Sequence, residues 1–240
     1  MAVPSMHVLA AKQPVAGGYD PLSIAWHSAY WAEDPNWTNP GDGNAVTTWD
    51  DASGNGRSVT QGTSGKRPLY RASVAALNSQ PAVDFDGTDD YLASGSAFTA
   101  TSGTLTKVVV IQVKTVVVGT RHIFSWGSTG GRADLYYSNN GSDWGLYAPS
   151  AQVLGGTPDT SAHILFATFG TSVAALNVDG VDVATGTNSG SLSTHTLGAY
   201  SGGGENIHAN IAFAGLYVGN MSAGDRADLL AWAQDHYGTP

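Results

Sequence analysis

Trp49-Asp-Asp-Ala-Ser-Gly-Asn-Gly56 and Pro81-Ala-Val-Asp-Phe-Asp-Gly-Thr-Asp-Asp-Tyr-Leu92 are the two stretches that decide the fold. In the first, Trp49 offers a large ring to bury, Ser53 and Asn55 can hydrogen-bond a turn backbone, and Gly54 and Gly56 permit positive φ. In the second, Val83 and Phe85 alternate and so share one inward face of a strand. Asp86-Gly87 then turns the chain, and Tyr91-Leu92 begins the return strand. Gln61, Arg67-Pro68-Leu69-Tyr70 and Asn78 lie between the two stretches. These are turn-and-core residues of β structure, and they are expected to be architectural.

Strand signals continue outward from this centre. Thr104–Val113 and Val116–Ser125 are rich in β-branched residues, and Thr104–Val113 is expected inside a sheet, because an exposed edge so long and apolar would aggregate. Leu135–Tyr137 and Trp144–Tyr147 flank the turn Asn139-Asn140-Gly141. Ala162–Phe169 reads as a buried strand. Val173–Val178 and Val181–Ala184 flank Asp179-Gly180, a two-residue hairpin signal. Ile211–Val218 is the last strong strand, in a set of about twelve. A single helix closes the chain, with Ser222 as N-cap, Asp225 at N3, Leu229, Leu230, Ala233 and Tyr237 on its apolar face, and Gly238 as its stop.

The composition agrees with an all-β chain. The 240 residues include 31 Gly, and only 12% are charged, about half of what a typical soluble domain carries. The net charge is −9, and the ten Lys and Arg are scattered, with a small cluster at Lys66, Arg67 and Arg71. Nucleic-acid binding and adhesion to an anionic membrane both need a concentrated basic patch, so neither is expected. No apolar run reaches the ~18 residues of a transmembrane helix, and no signal peptide is expected. The absence of cysteine removes disulfides and thiol chemistry, and leans towards a bacterial or viral source. Residues 1–20, with Pro4, Pro14 and Gly17-Gly18, read as an N-terminal arm, and 21–240 as one domain. No internal repeat is evident.

The order W-x-D-x-S-G-N-G, R-P-x-Y, N-x-x-P-A-V-x-F-D-G-x-D-D-Y-L resembles the laminin-G-like, concanavalin-A-like jelly-roll domains. The closing S-x-x-D-R-x-x-L-L-x-W is similar to the end of such domains from phage-associated proteins. The resemblance is strong over residues 21–92 and moderate over 211–238. It implies a two-sheet antiparallel sandwich with a short C-terminal helix, and a binding module rather than a chemistry.

Candidate chemistry is sparse. Asp84, Asp86, Asp89 and Asp90 form the best metal cluster, and Asp86, Asp89 and Asp90 are its candidate Ca²⁺ ligands. An EF-hand, however, needs Gly and Glu where this chain has Asp89 and Gly95, so solvated turn carboxylates are the plainer reading. No other cofactor is expected. Glycoside hydrolysis needs two carboxyl groups flanking a bond. The chain has two glutamates, Glu33 and Glu205, both in loop-like context, and no E-x-D-x-E strand. The seven histidines are dispersed, with no zinc spacing, and are expected to be structural. No nucleophile elbow or phosphate loop occurs. An enzyme is therefore not expected.

The aromatic residues carry the binding argument. A sugar face stacks on a ring while Asp and Asn at a loop rim supply hydrogen bonds. Trp126, before the Gly-rich segment 127–131, and Tyr137, Asn140, Asp143, Trp144 and Tyr147 are the candidate glycan-binding residues. The competing reading is that these rings fill the core. In a second group, Trp26 and Tyr30 are expected to cover a sheet and Trp37 to lie near the surface.

Taken with the resemblance, these features imply a non-enzymatic phage virion protein of tail, fibre or capsid surface. It would dock on other virion proteins through the N-terminal arm, form a homo-oligomer, and contact host-surface glycan. The alternatives are a carbohydrate-binding module of a bacterial secreted or surface protein, hence extracellular, and, less favoured, a glycan-cleaving enzyme.

Overall fold

The computed structural model describes residues 19–95, 103–126, 133–138, 140–148, 151–188 and 194–240. Of the expected N-terminal arm, all but Tyr19 and Asp20 lies outside the described residues, as does the Gly-rich segment after Trp126. The chain begins with β1 (Ser28–Trp31), β2 (Thr48–Trp49), β3 (Val59–Thr60), β4 (Leu69–Val74) and β5 (Gln80–Asp86). It continues through β6 (Leu92–Ser94), β7 (Leu105–Val113), β8 (Arg121–Trp126), β9 (Asp134–Tyr137) and β10 (Trp144–Ala148). The last strands are β11 (Ala151–Gly155), β12 (Ala162–Val178), β13 (Val181–Asn188), β14 (His195–Leu197) and β15 (His208–Val218), and α1 (Ala223–Tyr237) closes the chain.

Two antiparallel sheets form the sandwich that the sequence implied. The first runs β13-β12-β7-β15-β5-β4, with β1 also paired to β15. The second runs β11-β10-β9-β8-β14-β6-β3-β2. As expected, β7 is an interior strand, between β12 and β15. Between the sheets lies one apolar core that includes Tyr30, Trp49, Val83, Phe85, Ile111, Phe124, Leu135, Leu165 and Ile211. A second cluster covers the outer face of the first sheet, where Trp26, Trp31 and Phe213 meet Leu229, Trp232 and Tyr237 of α1. Glu33 fastens this layer, accepting from Tyr237 Oη at 2.8 Å and pairing with His236 Nε2 at 2.9 Å. Among the described residues, no helix is long and apolar enough to cross a membrane.

Local sequence chemistry explains the punctuation. Ser222 caps α1 by accepting the Asp225 N–H at 3.0 Å, and Gly238 ends it in the left-handed region. Asp179 and Gly180 take φ of 51° and 86°, the two positive values of a type I′ hairpin turn. The turn after Trp49 acts as a clamp. Asp51 accepts backbone N–H groups from Ala29 (2.9 Å), Ser53 (3.0 Å) and Arg57 (2.9 Å). Asn55 Nδ2 reaches the carbonyls of Trp26 and His27 at 3.0 and 3.2 Å. The motif therefore ties the N-terminal segment onto the sandwich.

Three local expectations need correction. Residues 116–120 are not strand: β7 belongs to one sheet and β8 to the other, so this segment crosses between sheets and has no ladder partner. Ala162–Val178 is one continuous strand rather than two. Trp37 is buried, not superficial; its ring folds back beside Trp49 and Tyr70, and its Nε1 donates to the Thr48 carbonyl at 3.0 Å.

The core also contains a lysine. Leu105, Val109 and Ile111 face inward on β7, and the same alternation turns Lys107 inward. Lys107 Nζ is fully buried, donates to the carbonyls of Phe124 (2.6 Å) and Ala133, and lies 4.5 Å from the centre of the Phe124 ring. Burial pushes its pKa down to about 7, against a smaller upward pull from Asp134. Burial also holds His195 well below its ordinary value, with the Lys107 charge adding to the effect, and Tyr30 Oη contacts His195 Nε2.

Candidate functional site

A groove crosses the outer face of the second sheet, built on the pleat. Ile123, Leu135, Tyr137, Trp144, Leu146 and Val153 point into the core, so the residues alternating with them on β9–β11 point out. Strand register aligns His122 with Tyr136, Tyr136 with Gly145, and Gly145 with Leu154, giving one row across four strands. A second row aligns Asp134, Tyr147 and Gln152. Gly145 opens the groove: a Cβ there would sit 2.6 Å from Tyr136 Cζ and 2.8 Å from Leu154 Cδ2. The Tyr136 ring can lie over the sheet because β10 has no side chain at that point.

Two adjoining depressions form the groove, sharing Thr120, Tyr136 and Gln152. One, of about 200 Å³, is completed by His122, Tyr147 and Glu205. The other, of about 340 Å³, is completed by Ser138, Asn140 and Leu154. Tyr136 is buried and forms the floor, while Tyr147 is half-buried and Asn140 and Gln152 are exposed.

Glu205 is the charged group at the wall. Its backbone takes a left-handed φ of 52°, and its carbonyl accepts the His122 N–H at 2.9 Å. Its carboxylate lies 2.8 Å from His122 Nε2 with half of the side chain still exposed. The imidazole is buried between the Tyr136 ring, on which it stacks at 5.6 Å, and Tyr200 at 5.3 Å. Its Nδ1 is 3.0 Å from Ser125 Oγ and 3.7 Å from Asp134 Oδ2. Glu205 thus meets His122 twice, backbone to backbone and carboxylate to ring, and its half-exposed carboxylate lines the groove.

The structure sorts the residues expected from sequence. Tyr147 and Asn140 line the groove. Asp143 lies in the adjoining turn, where its N–H and C=O bond Ser138. Trp126, Tyr137 and Trp144 do not face solvent, so they cannot stack on a sugar here. All three are fully buried between the sheets, because the pleat that sends Tyr136 and Gly145 outward sends their neighbours Tyr137 and Trp144 inward. The sequence reading missed Thr120, His122, Tyr136, Gln152 and the role of Glu205. A usable signal was the Gly202-Gly203-Gly204 run before one of only two glutamates, a backbone able to place that carboxylate tightly.

The acidic cluster lies elsewhere, in the β5–β6 turn. Ligand atoms of Asp86, Asp89 and Asp90 lie within 4.8 Å of one another, so they could hold a cation. They are also engaged in turn bonds: Asp86 Oδ1 accepts from the N–H groups of Thr88 (2.8 Å) and Asp89 (3.3 Å), and Asp90 Oδ2 accepts from Asp86 N–H (3.0 Å). Asp84 stands apart, paired with Arg71 at 2.9 Å and Lys114 at 2.8 Å.

No protein-family model and no curated protein sequence matches the chain. Solved structures do match it. A Trypanosoma rangeli sialidase in complex with 2,3-difluoro-KDN aligns at 14% identity with a TM-score of 0.63, covering 97% of this chain and 37% of the sialidase. Domain 4 of a GH43 extracellular arabinanase from Geobacillus stearothermophilus, in complex with arabinotriose, aligns at 14% identity and a TM-score of 0.57, covering 79% of this chain and all of that domain. An arabinofuranosidase complexed with arabinofuranosyl-α-1,2-xylobiose aligns at 14% identity and 0.61, covering 80% and 51%. The chain therefore spans about a third of the sialidase it matches. At this identity the likeness shows a shared β-sandwich fold. It also corrects the function expected from sequence: these matches are glycoside hydrolases and domains of them, and the phage virion role is overturned.

Proposed function

We propose that this chain is a carbohydrate-binding β sandwich serving glycan processing, and that it holds an oligosaccharide in the groove over β8–β11. The observation that carries the reading is the arrangement of Tyr147, Gln152, Asn140 and Glu205 around a row whose centre, Gly145, has no side chain. A ring for stacking, two amides and a carboxylate are the groups a sugar needs, because its hydroxyls both donate and accept. The matched structures support the reading, since one is a separate sandwich domain solved with a bound arabinose oligomer.

Binding fits the groove better than cleavage. Glycoside hydrolysis by the usual route takes two carboxyl groups with the sugar between them. Among the described residues lining the groove Glu205 is the one carboxylate; Asp134 lies behind the imidazole, fully buried. Isothermal titration of arabinotriose and xylobiose into the chain tests the reading, with Tyr147→Ala and Gln152→Ala as variants. Saturable binding weakened about tenfold or more by either variant is expected, a loss of about 1.4 kcal/mol. Binding unaffected by both would place the site elsewhere. Release of reducing ends by the chain alone would replace the binding reading with a catalytic one.

A further inference from the structure

From the charge distribution around Glu205 we infer that the groove selects neutral glycans and rejects anionic ones such as sialylated or uronic-acid oligosaccharides, with Glu205 as the selecting residue. This rests on the binding reading above and narrows it to a ligand class.

Apart from His122 and the Glu205 carboxylate, every described residue that lines the groove is uncharged. No lysine or arginine occurs among the described lining residues, so no permanent cation there pairs with a sugar carboxylate. His122 does not reverse the sign. Its ring lies between Glu205, 2.8 Å from Nε2, and Asp134, 3.7 Å from Nδ1. With both carboxyl groups ionised, the three together carry a net negative charge even when the imidazole is protonated. The imidazole lines the groove but is itself buried, stacked on Tyr136 and beside Tyr200, with the Glu205 carboxylate at its Nε2. The chain as a whole is acidic, at −9, and does not offset the local field.

A neutral sugar meets this wall favourably. Two neighbouring hydroxyls can donate to one carboxylate, and such charge-assisted bonds are about twice as strong as neutral ones. An anionic sugar in the same place sets two carboxylates about 5 Å apart. In a partly solvated groove that repulsion weakens binding by on the order of tenfold to a hundredfold, and it is screened by salt.

The test is a competition panel on the whole chain at low ionic strength, with arabinotriose and xylobiose as neutral probes and 3′-sialyllactose and trigalacturonic acid as anionic probes. Neutral probes should bind at least about tenfold more tightly. Glu205→Gln keeps the side-chain shape and should narrow the gap by raising affinity for the anionic probes. Gln152→Glu adds a second carboxylate to the same wall and should widen it. Both shifts should shrink in 0.5 M salt. Anionic probes that bind the wild type as tightly as neutral ones, or a gap that both variants leave unmoved, would overturn the selectivity while leaving a glycan site. Failure of every probe to bind would overturn the binding reading and the selectivity with it.

Discussion

The native chain should gain stability as pH rises from 7 to 9, and Lys107→Met should abolish that rise. Lys107 Nζ is buried among Phe124, Trp126 and Phe169, and burial pushes its pKa down to about 7 from the ordinary 10.5. Between those values the unfolded chain keeps a proton that the folded chain has released, so stability rises with pH. Below pH 7 both states hold the proton and the dependence vanishes. At about 1.4 kcal/mol per pH unit, the gap from about 7 to 10.5 corresponds to about 5 kcal/mol in full. Of this, about 2 kcal/mol should appear between pH 7.5 and 9. Tyr30 and Tyr237, pushed up by burial, act in the opposite direction only as unfolded tyrosines ionise near pH 10, so the window stays below that. His163, raised by its Asp179 and Asp159 partners against burial, is common to both proteins and cancels in the difference. Urea unfolding followed by tryptophan fluorescence at pH 7.5, 8.25 and 9 gives both slopes. The slope discriminates better than stability at one pH, because the methionine leaves the carbonyls of Phe124 and Ala133 without the donors they have now. Equal slopes in the two proteins would refute a lysine that folds uncharged.

Other outcomes follow from the same geometry. Asp90→Asn should raise stability at pH 7 by about 1–2 kcal/mol and flatten the pH 4–6 region. Burial lifts the Asp90 pKa to about 6, so folding opposes its ionisation and that cost grows as pH rises from 4 to 6. A calcium-dependent loss in this variant, read by thermal melts with calcium and with chelator, would instead make Asp90 a cation ligand. Trp144→Ala should cost about 3–5 kcal/mol in a denaturant melt, the value of a large core ring rather than of a surface platform. Gly145→Ala should cost about 1–3 kcal/mol and weaken arabinotriose binding in a titration, because the new methyl would collide with Tyr136.

The elements whose signals are local were legible in the sequence. The Ser222 cap, the Asp179-Gly180 turn and the alternation of Val83 and Phe85 each need only neighbouring residues, and each forms as read. The site was less legible because it depends on which face of a strand points inward. Tyr136 and Tyr137 are adjacent rings of similar propensity, and the pairing of Trp144 with Tyr137, fixed across the turn, decides which is core. The same uncertainty led Trp126 and Trp144 to be read as platforms. Glu205 and His122 are 83 positions apart in the chain and meet through the parallel bridge between His122 and Asn206, which no local pattern announces. Lys107 shows the limit of hydrophobic reading: within TLTKVVVIQV alternation points it inward, and only the two facing carbonyls explain how it stays there.

The most direct test of a glycan groove over β8–β11 is amide NMR of the isotopically labelled chain titrated with arabinotriose. Shifts that saturate and concentrate at Thr120, Tyr136, Asn140, Tyr147, Gln152 and Glu205 are expected. Shifts that gather on the Asp86–Asp90 turn or on α1, or no shift at any concentration of the sugar, would contradict it.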